Sequence, residues 1–174
     1  MNAPLTYTTV NETGCCPVPD VEGWDRTVVH FDEKPFIRQH TRSVFHVPLN
    51  MASVMTALQQ QAEAAGVTMP PREAMVLSRD LSPFRAEHLY AVTGPATGAD
   101  NVTLTGDFAA RVFEGPFSQA PTWHDEIRAY AADLGRTPTE TYFFYTTCPA
   151  CAKHYGRNYV IALARLSDAR TEGT

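Results

Sequence analysis

One order of predicted secondary structure occurs twice along the chain, and this repeat constrains the fold more than any other feature. Each half begins with an extended, β-branched and aromatic stretch, continues through an amphipathic helix that ends at a glycine, and closes with two further strands. An offset of 69 residues places Gly66 on Gly135 and Tyr90 on Tyr159. Such an internal match predicts a duplicated structural unit.

Local signals predict where the helices and strands begin and end. In the first half, a helix begins after Asn50, which can cap it, and ends at Gly66. In the second half, a helix begins near Pro121 and ends at Gly135. The predicted strands cover residues 27–31, 36–47, 74–78, 88–93, 102–114, 142–147 and 159–163.

These elements predict an α+β fold of duplicated strand-helix-strand-strand modules, with a mainly antiparallel sheet and two helices on one face. We expect a single domain over residues 27–166, made of halves at about 27–97 and 98–166. Residues 1–26 are polar and interrupted by proline and glycine, so they predict an arm that packs on the domain, and residues 167–174 predict a flexible tail. A groove is expected where the halves meet, and such junctions commonly bind small ligands.

Length and charge exclude several classes of protein. The formal net charge of the 174 residues is −5, so the chain lacks the excess of positive charge that sequence-independent binding to nucleic acid phosphates requires. No apolar run is long enough to cross a membrane, and the amino terminus lacks a basic segment followed by an apolar one. We therefore expect a cytoplasmic monomer or homodimer that binds a small molecule, and neither a nucleic acid nor a membrane.

Two of the four cysteines lie at the tip of the last predicted hairpin, in Cys148-Pro-Ala-Cys151. A tight turn of this kind points two thiolates at one tetrahedral ion, which is half of a structural zinc site. Cys15 and Cys16 complete a four-thiolate site that would hold the arm on the hairpin. Because adjacent side chains in an extended segment point to opposite sides, His154 in place of one of this pair is an alternative.

Two other interpretations of the cysteines stay open. Cys148 and Cys151 have the spacing of a redox dithiol, and the vicinal pair Cys15 and Cys16 could form a reversible disulfide or bind a soft metal. Thioredoxin-like folds, however, place such a dithiol after their first strand, with most of the domain still to follow. All four cysteines could also be packing residues that share no site.

Several motifs carry a resemblance to known proteins. They are Cys15-Cys16-Pro17, Val47-Pro-Leu-Asn50, Val112-Phe-Glu-Gly-Pro-Phe117 and Tyr145-Thr-Thr-Cys-Pro-Ala-Cys-Ala-Lys-His-Tyr-Gly-Arg-Asn-Tyr-Val160. The motifs resemble a bacterial group labelled hydrolase, and the order of elements over about residues 27–166 resembles the gyrase-inhibitor-like (GyrI-like) superfamily, related in fold to SOUL haem-binding proteins. That resemblance implies a ligand-sensing, ligand-binding or hydrolytic domain.

One departure from the superfamily bears on the ligand. Its ligand sensors typically carry an acidic residue between aromatic residues on the strand before the last hairpin, where it holds cationic aromatic ligands. The matching segment here is Tyr142-Phe-Phe-Tyr145, which contains no carboxylate. A role as a sensor of cationic drugs is therefore not expected.

Hydrolysis would need a carboxylate or histidine beside a positioned water. Glu114, at the end of a long predicted strand, is one candidate, and Glu87 and His88, near the start of another strand, are the others. Glu114 is equally well explained as a solvated strand end. Aromatic residues could wall a ligand cavity or simply form the core: Trp123, Tyr90, Tyr142, Phe144 and Tyr159.

The sequence thus predicts a small-molecule-binding domain with a structural zinc site. Hydrolysis of an aromatic or reactive compound in the groove is one hypothesis for its activity. A non-catalytic binding module is a second hypothesis, and a thiol-based metal-binding or redox protein is a third.

Overall fold

The computed structural model describes residues 3–168, so most of the predicted flexible tail, residues 169–174, lies outside the described residues. The strands are β1 (Thr27–Val44), β2 (Val47–Pro48), β3 (Val76–Ser82), β4 (Arg85–Ala91), β5 (Asn101–Glu114), β6 (Pro138–Tyr145) and β7 (Tyr159–Leu166). The α-helices are α1 (Val21–Trp24), α2 (Met51–Ala65), α3 (Ala120–Asp133) and α4 (Pro149–Tyr155), and short 3-10 helices cover Pro71–Glu73 and Phe117–Gln119.

The predicted fold class is confirmed. The order strand, helix, strand, strand occurs twice, as β1, α2, β3, β4 and as β5, α3, β6, β7. Neighbouring strands within each set pair antiparallel. The protein is therefore α+β, and its longer strands and two longer helices follow the predicted order.

The chain forms two compact units, one of residues 32–105 and one of residues 3–31 together with 106–168. In the unit of residues 32–105 the strand order is β2-β1-β4-β3. Helix α2 covers these strands with Val54, Leu58 and Ala62, which recur at helical spacing and pack with Ile37. Gly66 ends the helix in the left-handed conformation, as its position in the sequence predicts.

The other unit is built around strands in the order β6-β7-β5. Helix α3 buries Trp123, Ile127 and Tyr130 against these strands, in a cluster with Phe113 and Phe143. Trp123 stacks on Phe113 with 5.7 Å between ring centroids and 11° between ring planes. The amphipathic face that the sequence predicts for this helix is thus the face that the structure buries.

Two local predictions are wrong. Residues 27–31 and 36–47 are predicted as two strands, but β1 covers residues 27–44 without a break, with a positive φ of 46° at Glu33 and Pro35 inside the strand. The chain then turns at Phe45 and His46, and Val47 belongs to β2. The stretch between β6 and β7 was expected as a loop, but it is helix α4. Pro149 suits the first turn of a helix and Gly156, with φ of 69°, suits its end, so these two residues bound a helix here.

The amino-terminal segment packs closely on its own unit. Tyr7 and Pro19 form an isolated antiparallel bridge, and the Tyr7 hydroxyl donates to the carbonyl oxygen of Thr146 over 3.0 Å. Trp24 is fully buried, and its indole nitrogen donates to the Leu5 carbonyl oxygen. The segment therefore supplies buried aromatic residues as well as covering the domain.

Length and hydropathy of the helices bear on membrane insertion. Among the described residues, no helix combines the length and the apolar character that crossing a bilayer requires.

Candidate metal centre and adjacent cleft

Four cysteines from two distant segments come together at the start of α4. Cys148 is the N-cap of this helix and Cys151 lies in its first turn. Cys15 and Cys16 reach the same place from the amino-terminal segment, and the four sulfur atoms all lie within 4.8 Å of one another. The structure thus brings together all four residues for which the sequence predicts a shared metal site.

The adjacent cysteines share the site because their segment bends. Their sulfur atoms are 3.6 Å apart, so the two side chains do not point to opposite sides as they would in an extended strand. His154 lies outside the group of sulfur atoms, and its Nε2 atom is 3.0 Å from the Glu12 carboxylate. The donor set in the structure is therefore four thiols, without the histidine that the sequence left as an alternative.

Thr13 organises the cysteine cluster through its hydroxyl group. The Thr13 Oγ1 atom accepts hydrogen bonds from the backbone nitrogens of Cys15 (3.2 Å) and Cys16 (3.3 Å), and it lies 3.2 Å from Cys151 Sγ. The backbone nitrogen of Cys148 donates to Cys16 Sγ over 3.4 Å. These bonds fix both cysteine-bearing segments relative to each other.

Tyr155 gives the two segments a second connection. Its hydroxyl donates to the Cys16 carbonyl oxygen over 3.0 Å and accepts from the Glu12 backbone nitrogen over 3.1 Å. Both contacts join the last turn of α4 to the amino-terminal segment. The helix is thus tied to that segment at both of its ends.

The environment shifts the pKa of two of these thiols in opposite directions. Burial raises the pKa of Cys16 to about 12, and the hydrogen bond with Thr13 lowers the pKa of Cys151 to about 6. A hydrogen bond that can be made to the ionised sulfur favours the thiolate form, whereas burial disfavours it. The cluster therefore contains one thiol that ionises readily and one that resists ionisation in the absence of a cation.

The geometry fits a tetrahedral metal ion. Zn²⁺ bound by four thiolates at about 2.3 Å separates neighbouring sulfurs by about 3.8 Å. The cysteine sulfurs lie within 4.8 Å of one another, and Cys15 and Cys16 are at 3.6 Å, so side-chain adjustments of about 1 Å would complete such a site. Four protein ligands would leave no open position for a water molecule.

A cleft of about 500 Å³ lies beside α4, within the same unit. One wall is α4 with the residues that follow it, and another is the end of β5 with the turn after it. Its lining includes Glu114, Phe117, Ala152, Arg157 and Asn158. Cys148 and Cys151 are thus on the helix that forms one side of this cleft.

Charged and amide groups meet in the lining of the cleft. The carboxylate of Glu114 is 3.6 Å from the Arg157 guanidinium, and both side chains are about half exposed. The amide of Asn158 donates to the carbonyl oxygen of Gly115 over 2.8 Å. Gly115 has φ of 140°, a backbone conformation that favours glycine.

Glu87 and His88 lie in the unit of residues 32–105, whereas Glu114 lies in the other. Glu87 is 4% exposed and pairs with Arg79 over 2.6 Å and with Arg38 over 3.9 Å. These ion pairs compensate the buried carboxylate. Its predicted role as a catalytic base stays a prediction.

His88 is fully enclosed. Its Nδ1 atom is 2.8 Å from the Ser78 hydroxyl and its Nε2 atom is 3.0 Å from the Thr41 hydroxyl, so both ring nitrogens have partners. Burial lowers the pKa of His88 to about 4, which keeps the ring neutral near pH 7. These contacts give the ring a structural role, and its predicted catalytic role is untested.

The aromatic residues proposed as ligand walls have different surroundings. Trp123, Tyr142 and Phe144 are buried among other side chains of their unit. Tyr159 is partly exposed and accepts a hydrogen bond from Arg157 over 3.0 Å, and Tyr90 packs beside the cluster under α2. Contact of any of them with a ligand stays a prediction.

Thr13, Arg157 and Asn158 are site residues that the sequence analysis did not single out. Thr13 has a local signal, since a threonine two residues before Cys15 can accept a hydrogen bond from a backbone nitrogen in a turn. Arg157 and Asn158 follow the glycine that ends α4, and only the pairing of β5 with β7 shows that they face Glu114.

Comparisons with known proteins extend over most of the chain. A model of the family described as bacterial hydrolase matches residues 6–166, a range that includes all four cysteines and Glu114. Among solved structures, one titled the structure of SAV2435 bound to tetraphenylphosphonium is similar, with a TM-score of 0.49 and 9% identity over 82% of this chain and 93% of that chain. No curated protein matches.

Proposed function

The chain belongs to the bacterial hydrolase family, and on that premise we propose that it binds a small molecule in the cleft beside α4, with a zinc ion on its four cysteines holding that helix in place. The observation that carries the proposal is the convergence of four thiols on a helix that also walls a cleft. The cysteine cluster and the cleft belong to one unit and share α4, so loss of the metal would alter the wall of the cleft that contacts the ligand.

The zinc ion would act as a structural cross-link. Four sulfur donors suit Zn²⁺, and a site closed by protein ligands supplies no reactive water. Cys16 and Cys148 are separated by 132 residues. By analogy with a disulfide, a link that closes a loop of this length would oppose unfolding by roughly 5 kcal/mol.

The lining of the cleft indicates the class of ligand. Phe117 offers an exposed ring, and Ala152 and Pro149 add apolar surface from α4. Glu114 and Arg157 add one negative and one positive group to the lining. A small amphipathic compound, with an aromatic body and a polar group that pairs with Glu114 or Arg157, fits this combination.

Hydrolysis in the cleft is a second proposal, and the position of the Glu114 carboxylate favours it. Glu114 would accept a proton from a water molecule as the water oxygen attacks the bound compound, and Arg157 would stabilise the negative charge that develops on the attacked group. The bond to the leaving group breaks, and the proton held by Glu114 passes to that group. Without turnover, the same cleft would act as a binding module.

Elemental analysis tests the zinc proposal on protein purified without chelator or added metal, with free thiols counted before and after denaturation. We expect about one zinc per chain and thiols that react only after denaturation. Cys16→Ser should bind less zinc. His154→Ala is the matched control, because His154 also joins α4 to the amino-terminal segment but lies outside the group of sulfur atoms, and this variant should retain the zinc. Protein without metal, with four thiols that react readily, would refute the proposal and favour the thiol-based alternative.

Hydrogen exchange tests the link between metal and cleft. After chelation, the backbone amides of residues 150–158 should exchange faster, since α4 has only seven residues and depends on its contacts for stability. The amides of α3, a longer helix with a buried face, serve as the internal control. Unchanged exchange in α4 would show that zinc does not hold the wall of the cleft.

A further inference from the structure

Six large apolar residues are exposed together in the unit of residues 32–105. They lie at or beside the ends of two neighbouring hairpins, β1 with β2 and β3 with β4. Their exposed fractions run from 44% to 75%, and we call them the hairpin patch: Val44, Phe45, Val47, Leu49, Leu81 and Phe84. Exposed apolar residues that lie close together commonly mark an interaction site.

Backbone hydrogen bonds hold the two hairpin ends side by side. The nitrogen of Ser43 donates to the Phe84 carbonyl oxygen over 2.8 Å, and the nitrogen of His46 donates to the Pro83 carbonyl oxygen over 2.9 Å. The rings of Phe45 and Phe84 have centroids 5.9 Å apart. The two hairpin ends that carry the hairpin patch are therefore joined by backbone hydrogen bonds and by a ring contact.

The turn that carries Phe45 is poorly suited to its sequence. Val44 pairs with Val47, so Phe45 and His46 form a two-residue loop, and their φ values of 48° and 68° are both positive. Asn-Gly is the favoured sequence for such a turn, because larger side chains are strained at positive φ. Phe45 is thus a large apolar residue at positive φ that remains 75% exposed although its ring packs beside Phe84.

We propose that the hairpin patch is the contact surface between two copies of this chain. A fully exposed side chain of this size presents about 150–200 Å², so the six exposed fractions correspond to roughly 600 Å². A standard interface buries about 800 Å² per partner, of which about 65% is apolar in homodimers, or roughly 520 Å². The patch supplies that apolar area.

The rim of the patch suits self-association because it carries both signs of charge. Arg42 and Arg85 lie opposite each other on β1 and β4, and Asp80 contacts His46 over 2.7 Å. A twofold axis would bring the hairpin patch of one copy against the same patch of the other, and the arginines of one copy could then face the aspartate of the other. Pro48 in β2, at the edge of this unit's strands, lacks a backbone donor, so the copies pack by side chains and not by strand addition.

Sedimentation equilibrium over a protein concentration range of about 1–100 μM tests this proposal on the whole chain. Wild type should approach twice the 19.2 kDa mass of one chain as concentration rises. Phe45→Asn keeps a residue that tolerates positive φ, so this variant should fold and dimerise about 30-fold more weakly, the effect of a strong interface residue. Phe84→Ser should act in the same direction.

Val10→Ser is the matched control, since Val10 is 48% exposed in the other unit and outside the hairpin patch. This variant should dimerise as wild type does. Wild type that stays at 19.2 kDa across the range would overturn the proposal, as would a dimer that both Phe45→Asn and Phe84→Ser leave intact. A wild-type monomer that sediments with lipid vesicles would assign the patch to a membrane surface instead.

Discussion

Acidification should destabilise the protein through His88. This side chain is 1% exposed, and burial lowers its pKa from 6.5 to about 4. In the folded protein the ring therefore stays neutral down to about pH 4, whereas in the unfolded chain it takes up a proton below pH 6.5. Because the unfolded state binds more protons in this window, stability is present above pH 6.5 and is lost as the pH falls towards 4.

The size of this effect follows from the two pKa values. Each pKa unit corresponds to about 1.4 kcal/mol, so a shift from 6.5 to about 4 gives at most about 3 kcal/mol, of which about 2 kcal/mol is lost between pH 7 and pH 5. The nearby charges of Asp80 and His40 act in opposite directions on His88, and both effects are smaller than that of burial.

Urea unfolding at pH 7 and pH 5 measures this loss in wild type and in His88→Gln. Glutamine can still hydrogen-bond to Ser78 and Thr41 but does not titrate. Because the other groups titrate alike in both proteins, the free energy of unfolding of the wild type should fall by about 2 kcal/mol more than that of the variant between pH 7 and pH 5. Equal losses would refute the assignment of a buried neutral histidine.

Two further predictions concern the cleft and the core. If the protein hydrolyses 4-nitrophenyl acetate, Glu114→Gln should abolish that activity. Glu126→Gln is the control, because Glu126 lies on α3 and has almost the same exposure as Glu114, and this variant should keep the activity. Full activity in Glu114→Gln would contradict the role of Glu114 as the base. Trp123→Ala should lower the free energy of unfolding by about 3–5 kcal/mol in urea, because Trp123 stacks on Phe113 in the core. A decrease in the free energy of unfolding of less than about 1 kcal/mol would instead indicate that Trp123 lines a cavity.

The order of the main elements could be predicted because its signals are local. The apolar residues of α2 and α3 recur at helical spacing, and Gly66 has the left-handed conformation that ends a helix. Proline and glycine residues between two elements predict the local structure less reliably. Pro149 and Gly156 bound a short helix here, although the same two residues are also typical of a loop, and contacts with the amino-terminal segment decide between them.

The candidate metal centre was predictable in its members and not in its geometry. The spacing of Cys148 and Cys151 predicts a pair of ligands, and a chain with four cysteines leaves Cys15 and Cys16 as their partners. That the adjacent pair can face one point depends on the bend that Thr13 stabilises. The cleft has no sequence signature, because Glu114 and Arg157 meet only through strand pairing.

The sequence by itself determined the α+β class, the order of the longer strands and helices, and the residue types available for a metal and for catalysis, since periodicity, capping and ligand chemistry act over a few neighbouring residues. Only the tertiary structure decided which of these residues meet. Four sulfurs from opposite ends of the chain gather at α4, Glu114 reaches a cleft, and Glu87 and His88 are buried with partners. Such contacts depend on how distant segments pack, and packing is a property of the whole folded chain.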